Sequence, residues 1–77
     1  MTPIQQLQYK KLIKQYSNAE WKYIAIDHDG GVFLYTGRPD CVETDLLTGF
    51  GGHALASRIH DFECEIDGWK DTLVELQ

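Results

Sequence analysis

The stretch EWKYIAIDHDGGVFLYTG, residues 20–37, decides the fold of this chain. Two segments rich in aromatic and β-branched residues, 20–27 and 32–37, flank the tetrapeptide His28-Asp29-Gly30-Gly31. An Asp-Gly pair between two such segments is a strong local signal for a tight β-hairpin. The sequence therefore predicts an antiparallel hairpin at the centre of the fold.

The length of the hairpin turn determines which side chains share a face of the sheet. A turn with an even number of residues predicts that Ile24 and Ile26 share a face with Phe33 and Tyr35. The other face then carries four further apolar residues: Trp21, Tyr23, Ala25 and Leu34. Because both faces are apolar, each must be covered. We expect the N-terminal helix on one face and the C-terminal segment or a partner on the other.

The N-terminal residues predict a helix over about residues 3–17. Thr2, Pro3 and Gln5 match an N-cap, a proline at the first helical position and the glutamine of a capping box. An apolar stripe at i, i+3, i+4 and i+7 follows, and we expect it to face the core: Tyr9, Leu12, Ile13 and Tyr16. The helix therefore supplies one layer of the fold.

Residues 61–67 alternate strictly between acidic and apolar side chains, which predicts a half-buried strand. Its acidic face carries four carboxylates: Asp61, Glu63, Glu65 and Asp67. After this strand, Trp69, Leu73 and Leu76 recur at helical spacing and are expected to dock on the sheet. Before it, residues 49–52 predict a loop, and residues 53–59 form either a short helix or the approach to a strand.

These elements predict one domain over residues 1–77 of the α+β class. The N-terminal helix packs on a small antiparallel sheet, which consists of the hairpin plus a C-terminal strand. A chain of 77 residues has no room for a multi-domain enzyme.

The charge of the chain disfavours direct binding to DNA or RNA. Seven lysines and arginines stand against twelve aspartates and glutamates, for a net charge of −5, whereas nucleic-acid-binding proteins carry a basic surface. The charge is also unevenly distributed, because residues 1–22 are basic and residues 61–77 are strongly acidic. No apolar run approaches the length of a membrane span, so we expect no membrane partner.

Several short motifs resemble functional sites but lack their context. The segment 49–54 matches G-x-G-x-x-A, with Asp67 downstream as the ribose-binding acid, yet no strand precedes it and no long helix follows. The pairing of Ser57 with His53 or His60 lacks a nucleophile elbow. We therefore predict no cofactor, no catalytic residue and no enzymatic activity.

Metal binding is not expected either. Asp27-His28-Asp29-Gly30 lacks the further oxygen ligands of a calcium loop, so its residues are interpreted as turn residues. The histidines and cysteines show no zinc-ligand spacing. Cys41 and Cys64 are expected to be free, mostly buried thiols.

The acidic face of residues 61–67 has two interpretations. It is either a solvated strand face whose charge prevents unwanted edge pairing, or a row of carboxylates that docks on a basic protein. Carboxylates at every second strand residue repeat at about 6.7 Å, close to the spacing of two base-pair rises of DNA. Such a row could occupy a nucleic-acid-binding groove, and we predict that the neighbouring acids Glu43 and Asp45 contribute to it.

A dimer contact is the alternative in another functional class. Ile4 and Leu7 lie off the apolar stripe of the helix, so they contact either a neighbouring loop or a partner. With the second sheet face around Trp21 and Tyr23, they could form a homodimer of a structural or regulatory adaptor.

Two motifs carry a resemblance to a known group of proteins. Trp21, Ile24-Ala25, Asp27 and Asp29-Gly30 match an opening W-x-x-I-A-x-D-x-D-G hairpin, and residues 69–73 match a closing W-K-D-S/T-L. In this the chain resembles small acidic accessory proteins of tailed bacteriophages and prophages. The resemblance implies a viral protein in the cytoplasm of a bacterial host, of the anti-CRISPR or other counter-defence type. Its expected partner is a basic host protein, such as a CRISPR effector.

Overall fold

The computed structural model describes residues 1–17, 20–44, 47–52, 55–63 and 67–76. Within these ranges the chain forms an N-terminal helix, a four-stranded antiparallel sheet and a separate two-stranded sheet. The predicted α+β fold is confirmed. The elements in chain order are α1 (Pro3–Tyr16), β1 (Tyr23–Ile26), β2 (Gly31–Tyr35), β3 (Asp40–Glu43), β4 (Thr48–Gly51), β5 (Ala56–Asp61), a 3-10 helix (Trp69–Thr72) and β6 (Val74–Glu75).

Helix α1 begins with the predicted capping box. The hydroxyl oxygen of Thr2 accepts a hydrogen bond from the Gln5 backbone N–H at 3.1 Å, and the Gln5 side-chain oxygen accepts one from the Thr2 backbone N–H at 3.0 Å. These reciprocal bonds satisfy two donors that would otherwise be free at the helix N-terminus. The predicted stripe faces the core, where Tyr9 is buried and Leu12, Ile13 and Tyr16 pack around it.

The four-stranded sheet has the order β5-β2-β1-β6, and all its neighbouring strands are antiparallel. On the side of α1, four side chains of the hairpin are almost completely buried: Ile24, Ile26, Val32 and Leu34. The Tyr9 hydroxyl donates to the Thr72 carbonyl oxygen at 2.6 Å, and burial raises the pKa of Tyr9 above its ordinary value. The helix is therefore attached to the sheet by apolar packing and to the 3-10 helix by a buried hydrogen bond.

The hairpin is confirmed, but its predicted register is wrong by one residue. Ile24 pairs with Leu34, and Ile26 pairs with Val32, so Phe33 and Tyr35 lie on the opposite face from the two isoleucines. The turn contains three residues, 28–30, rather than an even number. A residue with positive φ closes three-residue turns of this kind, and Gly30 has a φ of 89°.

The second face of the sheet is covered by β3 and β4 rather than by the C-terminal segment. The β3–β4 hairpin pairs Cys41 with Phe50 and Val42 with Gly49, so the loop predicted at residues 49–52 is wrong for 49–51. Beneath the hairpin, Ala25 and Tyr35 are buried on the second face. The β3–β4 hairpin of the same chain thus lies over part of the apolar second face.

Strand β5 resolves the ambiguity of the segment that follows. Residues 53–59 were predicted to form either a short helix or the approach to a strand. Among the described residues of this range, the strand alternative is confirmed, because β5 runs over Ala56–Asp61. Its ladder with β2 shifts register between Val32 and Phe33, and this irregularity leaves Ile59 without a directly paired residue on β2. Ile59 packs against the core, whereas Arg58 lies opposite Phe33 on the second face.

The C-terminal segment docks on the sheet, but not as the predicted helix-spaced element. The 3-10 helix Trp69–Thr72 is followed by β6, which pairs with β1. The Thr72 hydroxyl oxygen accepts from the Ile26 backbone N–H at 2.9 Å, which attaches the 3-10 helix beside the end of β1. Leu76 is then buried in the core.

Candidate functional site

The hairpin turn, the end of β5 and the 3-10 helix meet at one end of the four-stranded sheet. Asp61, the last residue of β5, pairs with Gly31 at the start of β2. From the other side, the ring of Trp69 lies 6.1 Å from the ring of His28 in the turn. Three segments that are distant in sequence therefore converge at this end.

The convergence gathers four exposed acidic residues, which we call the acidic end: Asp29, Asp61, Glu63 and Asp67. Glu63 follows Asp61 by two residues, and Asp67 precedes Trp69 by two residues. The acidic end is thus built from the hairpin turn, the residues that follow β5 and the turn that precedes the 3-10 helix.

Arg58 fixes two of these carboxylates relative to each other. Its Nε donates to Asp61 Oδ1 at 2.6 Å, and a terminal guanidinium nitrogen lies 3.7 Å from Asp29 Oδ2. The hydrogen bond with Asp61, together with the charge of both carboxylates, raises the pKa of Arg58. Because all three side chains are about half exposed, the ion pairs add little to stability. Their effect is to position the acids.

The predicted acidic strand face is wrong for the residues that the structure describes. Of its members, Asp61 ends β5, Glu63 lies in a bend and Asp67 lies in a turn. The ladder stops at Asp61 because its partner strand β2 begins at Gly31, directly after the hairpin turn. Three predicted acids still come to one end of the fold, but by convergence of loops rather than along one strand.

The remaining predicted acids lie partly outside the described residues. Glu65 and Asp45 are outside them, and of Glu43 only the backbone in β3 is described. Glu43 follows Val42, whose partner Gly49 lies against the Asp27 side chain. The paired residues Val42 and Gly49 therefore lie near the hairpin turn. Asp29, which was predicted as a turn residue only, is an additional member of the acidic end.

The predicted dimer contacts separate into two groups. Ile4 and Leu7 are 71% and 58% exposed on α1, so they form an apolar surface on the helix. Trp21 packs against the core on the helix side of the sheet, and Tyr23 is half-buried on the second face. The two residues therefore lie on different sides of the sheet, and the dimer contact stays a prediction.

A cavity of about 210 Å³ lies between the second face of the sheet and the β3–β4 hairpin. Its wall contains three aromatic rings, a proline, a carboxylate and small residues: Phe33, Tyr35, Phe50, Pro39, Asp27, Gly51, Gly52 and Ala56. Phe33 and Tyr35 occupy alternate positions of β2, with ring centroids 6.3 Å apart. The third ring, Phe50, comes from β4. The cavity is not predictable from an even-length turn, because that register places Phe33 and Tyr35 on the same face as Ile24 and Ile26, whereas the observed register places them on the opposite face.

Two polar side chains face one another across this mostly apolar wall. Tyr35 is only 4% exposed, and its hydroxyl has no hydrogen-bond partner among the described residues. The Asp27 side chain is 17% exposed, and its Oδ1 accepts from the His28 backbone N–H at 2.8 Å. Burial, followed by the negative charge of Asp27, raises the pKa of Tyr35 to about 12. At neutral pH the cavity therefore contains a neutral phenol near a carboxylate.

Gly49 is explained by its close approach to Asp27. It has a φ of 143°, and a Cβ at this position would lie 2.6 Å from Asp27 Oδ1. Gly49 and Gly51 belong to a paired strand, whereas a dinucleotide-binding glycine motif requires the turn between a strand and a helix. Gly49 therefore has a packing role beside Asp27.

The Asp27-His28-Asp29 cluster matches its interpretation as turn chemistry. The potential ligand atoms of these residues lie within 4.8 Å of one another. Asp27 Oδ1 accepts from the His28 backbone N–H, and Asp29 Oδ1 accepts from the Gly31 N–H at 2.9 Å. Carboxylates that bond to nearby backbone N–H groups in this way stabilise tight turns.

The cysteine prediction is confirmed in part at Cys41, which is a free thiol. Its predicted burial is wrong, because β3 belongs to a two-stranded sheet and Cys41 is exposed on it. Cys64 lies outside the described residues. Among the described residues, no helix has the length and hydrophobicity needed to span a membrane.

Comparisons with protein-family models, curated proteins and solved structures return no match for this chain. The acidic end and the cavity are therefore interpreted from their own geometry and chemistry.

Proposed function

We propose that this chain is a non-enzymatic binding protein whose acidic end docks on a basic protein that handles nucleic acid. The observation that carries the proposal is the convergence of exposed carboxylates from three separate segments at one end of the sheet. Clustered like charge costs free energy through mutual repulsion, and a basic partner surface would relieve that cost. The same charge would accelerate association through electrostatic steering.

The distribution of positive charge supports a directed contact. The first turns of α1 lie near the acidic end, since Gln5 and Gln8 line a groove with Asp61 and Glu63. The lysines of the helix lie further along α1 and are exposed: Lys10, Lys11 and Lys14. A basic partner would therefore be attracted to the acidic end and not to the lysine-bearing part of the helix.

In its specific form, the proposal is a phage-type inhibitor that acts in the cytoplasm of a bacterial host. The resemblance of the hairpin and of residues 69–73 to small phage proteins favours this form. Carboxylates at the surface of such an inhibitor would take the place of phosphates in the groove of a nucleic-acid-binding protein. A CRISPR effector is a partner of this chemistry, because it holds its nucleic acids in a positively charged channel.

The test uses charge reversal at the acidic end with a matched control. The variant Glu63→Lys/Asp67→Lys reverses two exposed carboxylates that do not contact Arg58 in the structure. The control Glu20→Lys/Glu75→Lys makes the same change in net charge at two exposed positions outside the acidic end. The tagged wild-type chain and both variants are used to capture proteins from a bacterial lysate at low and high salt.

We expect the wild type and the control to retain the same basic, nucleic-acid-binding protein at low salt, and the acidic-end variant to lose it. Added double-stranded DNA or guide RNA should displace the retained protein from the wild type. Equal retention by all three chains, with circular dichroism showing that all are folded, would refute a role for the acidic end.

A second candidate function is a homodimeric structural or regulatory adaptor. It is favoured by the exposure of Ile4 and Leu7, which lie three residues apart on one face of α1. Sedimentation equilibrium at rising protein concentration tests it. We expect a dimer that the Ile4→Ser/Leu7→Ser variant abolishes if this function holds, and a wild-type monomer at the highest concentration would eliminate it.

A further inference from the structure

The cavity between the sheet and the β3–β4 hairpin has no part in the contact proposed for the acidic end. We propose that this cavity binds an organic cation, namely an ammonium or guanidinium group that carries a short alkyl chain. The argument depends on the wall of the cavity, on its two polar groups and on its size.

The wall has the composition that attracts organic cations. Phe33, Tyr35 and Phe50 contribute three aromatic rings from two different strands. The face of an aromatic ring carries partial negative charge and attracts ammonium and guanidinium groups within about 6 Å of the ring centre. One of these three rings already makes such a contact within the chain, because Arg58 Cζ lies 5.4 Å from the centroid of Phe33.

The polar groups of the wall add charge complementarity. The Asp27 carboxylate is largely buried at the edge of the cavity, and its Oδ1 lies 3.2 Å from Nδ1 of the neighbouring His28 ring. A partly buried carboxylate is stabilised by a cation that replaces lost solvation. The hydroxyl of Tyr35, a residue of the cavity wall, offers an oxygen that can accept from the N–H groups of the ligand.

The size of the cavity limits the ligand. The volume of the cavity is about 210 Å³. This space accommodates a quaternary ammonium group with a short chain, or the end of a lysine or arginine side chain. It is too small for a nucleotide, since pockets for ligands of drug size occupy about 300–1,000 Å³.

The same cationic group could come from a free small molecule or from a basic side chain of a bound protein. The first arm of the test uses a free probe, choline, and its uncharged carbon analogue dimethylbutanol. Both have nearly the same shape, so a difference between them measures the contribution of the charge. Binding is followed through NMR shifts of the aromatic protons and backbone amides of the wild-type chain, with a metal chelator present.

We expect choline to shift the signals of Phe33, Tyr35 and Phe50, and to bind at least about tenfold more tightly than dimethylbutanol, because a charge-assisted contact contributes more than a neutral one. Equal affinities for the two probes would overturn the proposal. So would the absence of shifts at the three rings. These results are obtained on the unmodified chain and do not depend on the folding of any variant.

Substitutions then measure how much the Asp27 carboxylate and the Tyr35 hydroxyl each contribute to binding of the cation. Asp27→Asn removes the charge and preserves the shape, so choline affinity should fall about tenfold while dimethylbutanol binding stays the same. Tyr35→Phe should cause a smaller loss. Asp71→Asn is the matched control, because Asp71 is exposed on the 3-10 helix and is not part of the wall. If Asp71→Asn and a folded Asp27→Asn weakened choline equally, Asp27 would not be the anionic group of the site.

A second arm distinguishes the sources with short peptides that contain lysine, trimethyllysine or arginine. Tighter binding of one peptide than of choline identifies a protein side chain as the source, and the reverse order identifies a free organic cation. The Glu63→Lys/Asp67→Lys variant retains the whole cavity wall. It should therefore bind choline like the wild type even if the proposed docking at the acidic end fails.

Discussion

At the residue scale, Asp27 links the hairpin turn to the cavity. Its backbone N–H donates to the Gly31 carbonyl oxygen at 2.7 Å, and its carbonyl oxygen accepts from the Gly30 N–H at 3.0 Å. Its side chain lies against Gly49 and forms part of the cavity wall. A residue interpreted from the sequence only as part of a turn thus closes the hairpin through its backbone and supplies a carboxylate to the cavity wall.

Tyr35 gives a pH-dependent prediction at the same scale. Burial and the charge of Asp27 raise its pKa from 10.0 to about 12 in the folded chain. The folded state therefore holds the proton more tightly than the unfolded state. The resulting stabilisation is fully present below about pH 10 and is lost as the pH rises through about 12.

Tyr35→Phe removes the ionisable hydroxyl. The free energy of unfolding of this variant should therefore decrease less at alkaline pH than that of the wild type. We expect the free energy of unfolding of the wild type to fall by on the order of 2 kcal/mol more than that of the variant between about pH 10 and 12. Denaturant titrations of both chains over this range provide the measurement. Parallel pH profiles for the two chains would show that Tyr35 ionises as freely in the folded state as in the unfolded one.

At the scale of elements, the β3–β4 hairpin covers the second face of the sheet and forms one side of the cavity. Phe50 from this hairpin packs edge-on against Trp69 of the 3-10 helix, with ring centroids 5.3 Å apart. Gly49 allows β4 to approach Asp27 closely. The position of the whole hairpin therefore depends on one residue without a side chain.

Substitutions of the two strand glycines test this dependence. Gly49→Ala places a Cβ 2.6 Å from Asp27 Oδ1 at a positive φ, so we expect the free energy of unfolding to fall by about 1–3 kcal/mol. Gly51→Ala is the control in the same strand, because nothing lies within 4 Å of its added Cβ. Thermal or denaturant unfolding of both variants gives the comparison. Similar losses in the two would mean that β4 does not rest on Asp27.

The elements show which parts of the fold the sequence could predict. The helix start and the central hairpin were predictable because capping and turn residues act locally, as Thr2 and Gly30 do. The register of the hairpin was not predictable, because a difference of one residue in the length of the turn moves every side chain of β2 to the opposite face. Strand β4 was also missed, since its glycines look like a loop until Asp27 is known to lie beside Gly49. The acidic alternation after Asp61 resembled a strand, but β2 supplies no partner beyond Gly31.

At the scale of the whole molecule, the chain separates its charges and covers its own sheet. The helix covers one face, the β3–β4 hairpin covers the other, and carboxylates gather where the hairpin turn meets β5 and the 3-10 helix. The sequence predicted Asp61, Glu63 and Asp67 as site residues because of their charge. It could not predict that Asp29 joins them, or that Arg58 forms ion pairs with Asp29 and Asp61, since these contacts arise only from strand pairing.

The salt dependence of binding tests the acidic end most directly. The protein retained by the wild type is purified, and its dissociation constant for the wild type, the Glu63→Lys/Asp67→Lys variant and the Glu20→Lys/Glu75→Lys control is measured over a series of salt concentrations. Salt screens contacts between exposed charges. We predict that affinity falls steeply with salt for the wild type and the control, and that the acidic-end variant binds weakly with a much smaller salt dependence. An acidic-end variant with the wild-type affinity and the wild-type salt dependence would contradict the account.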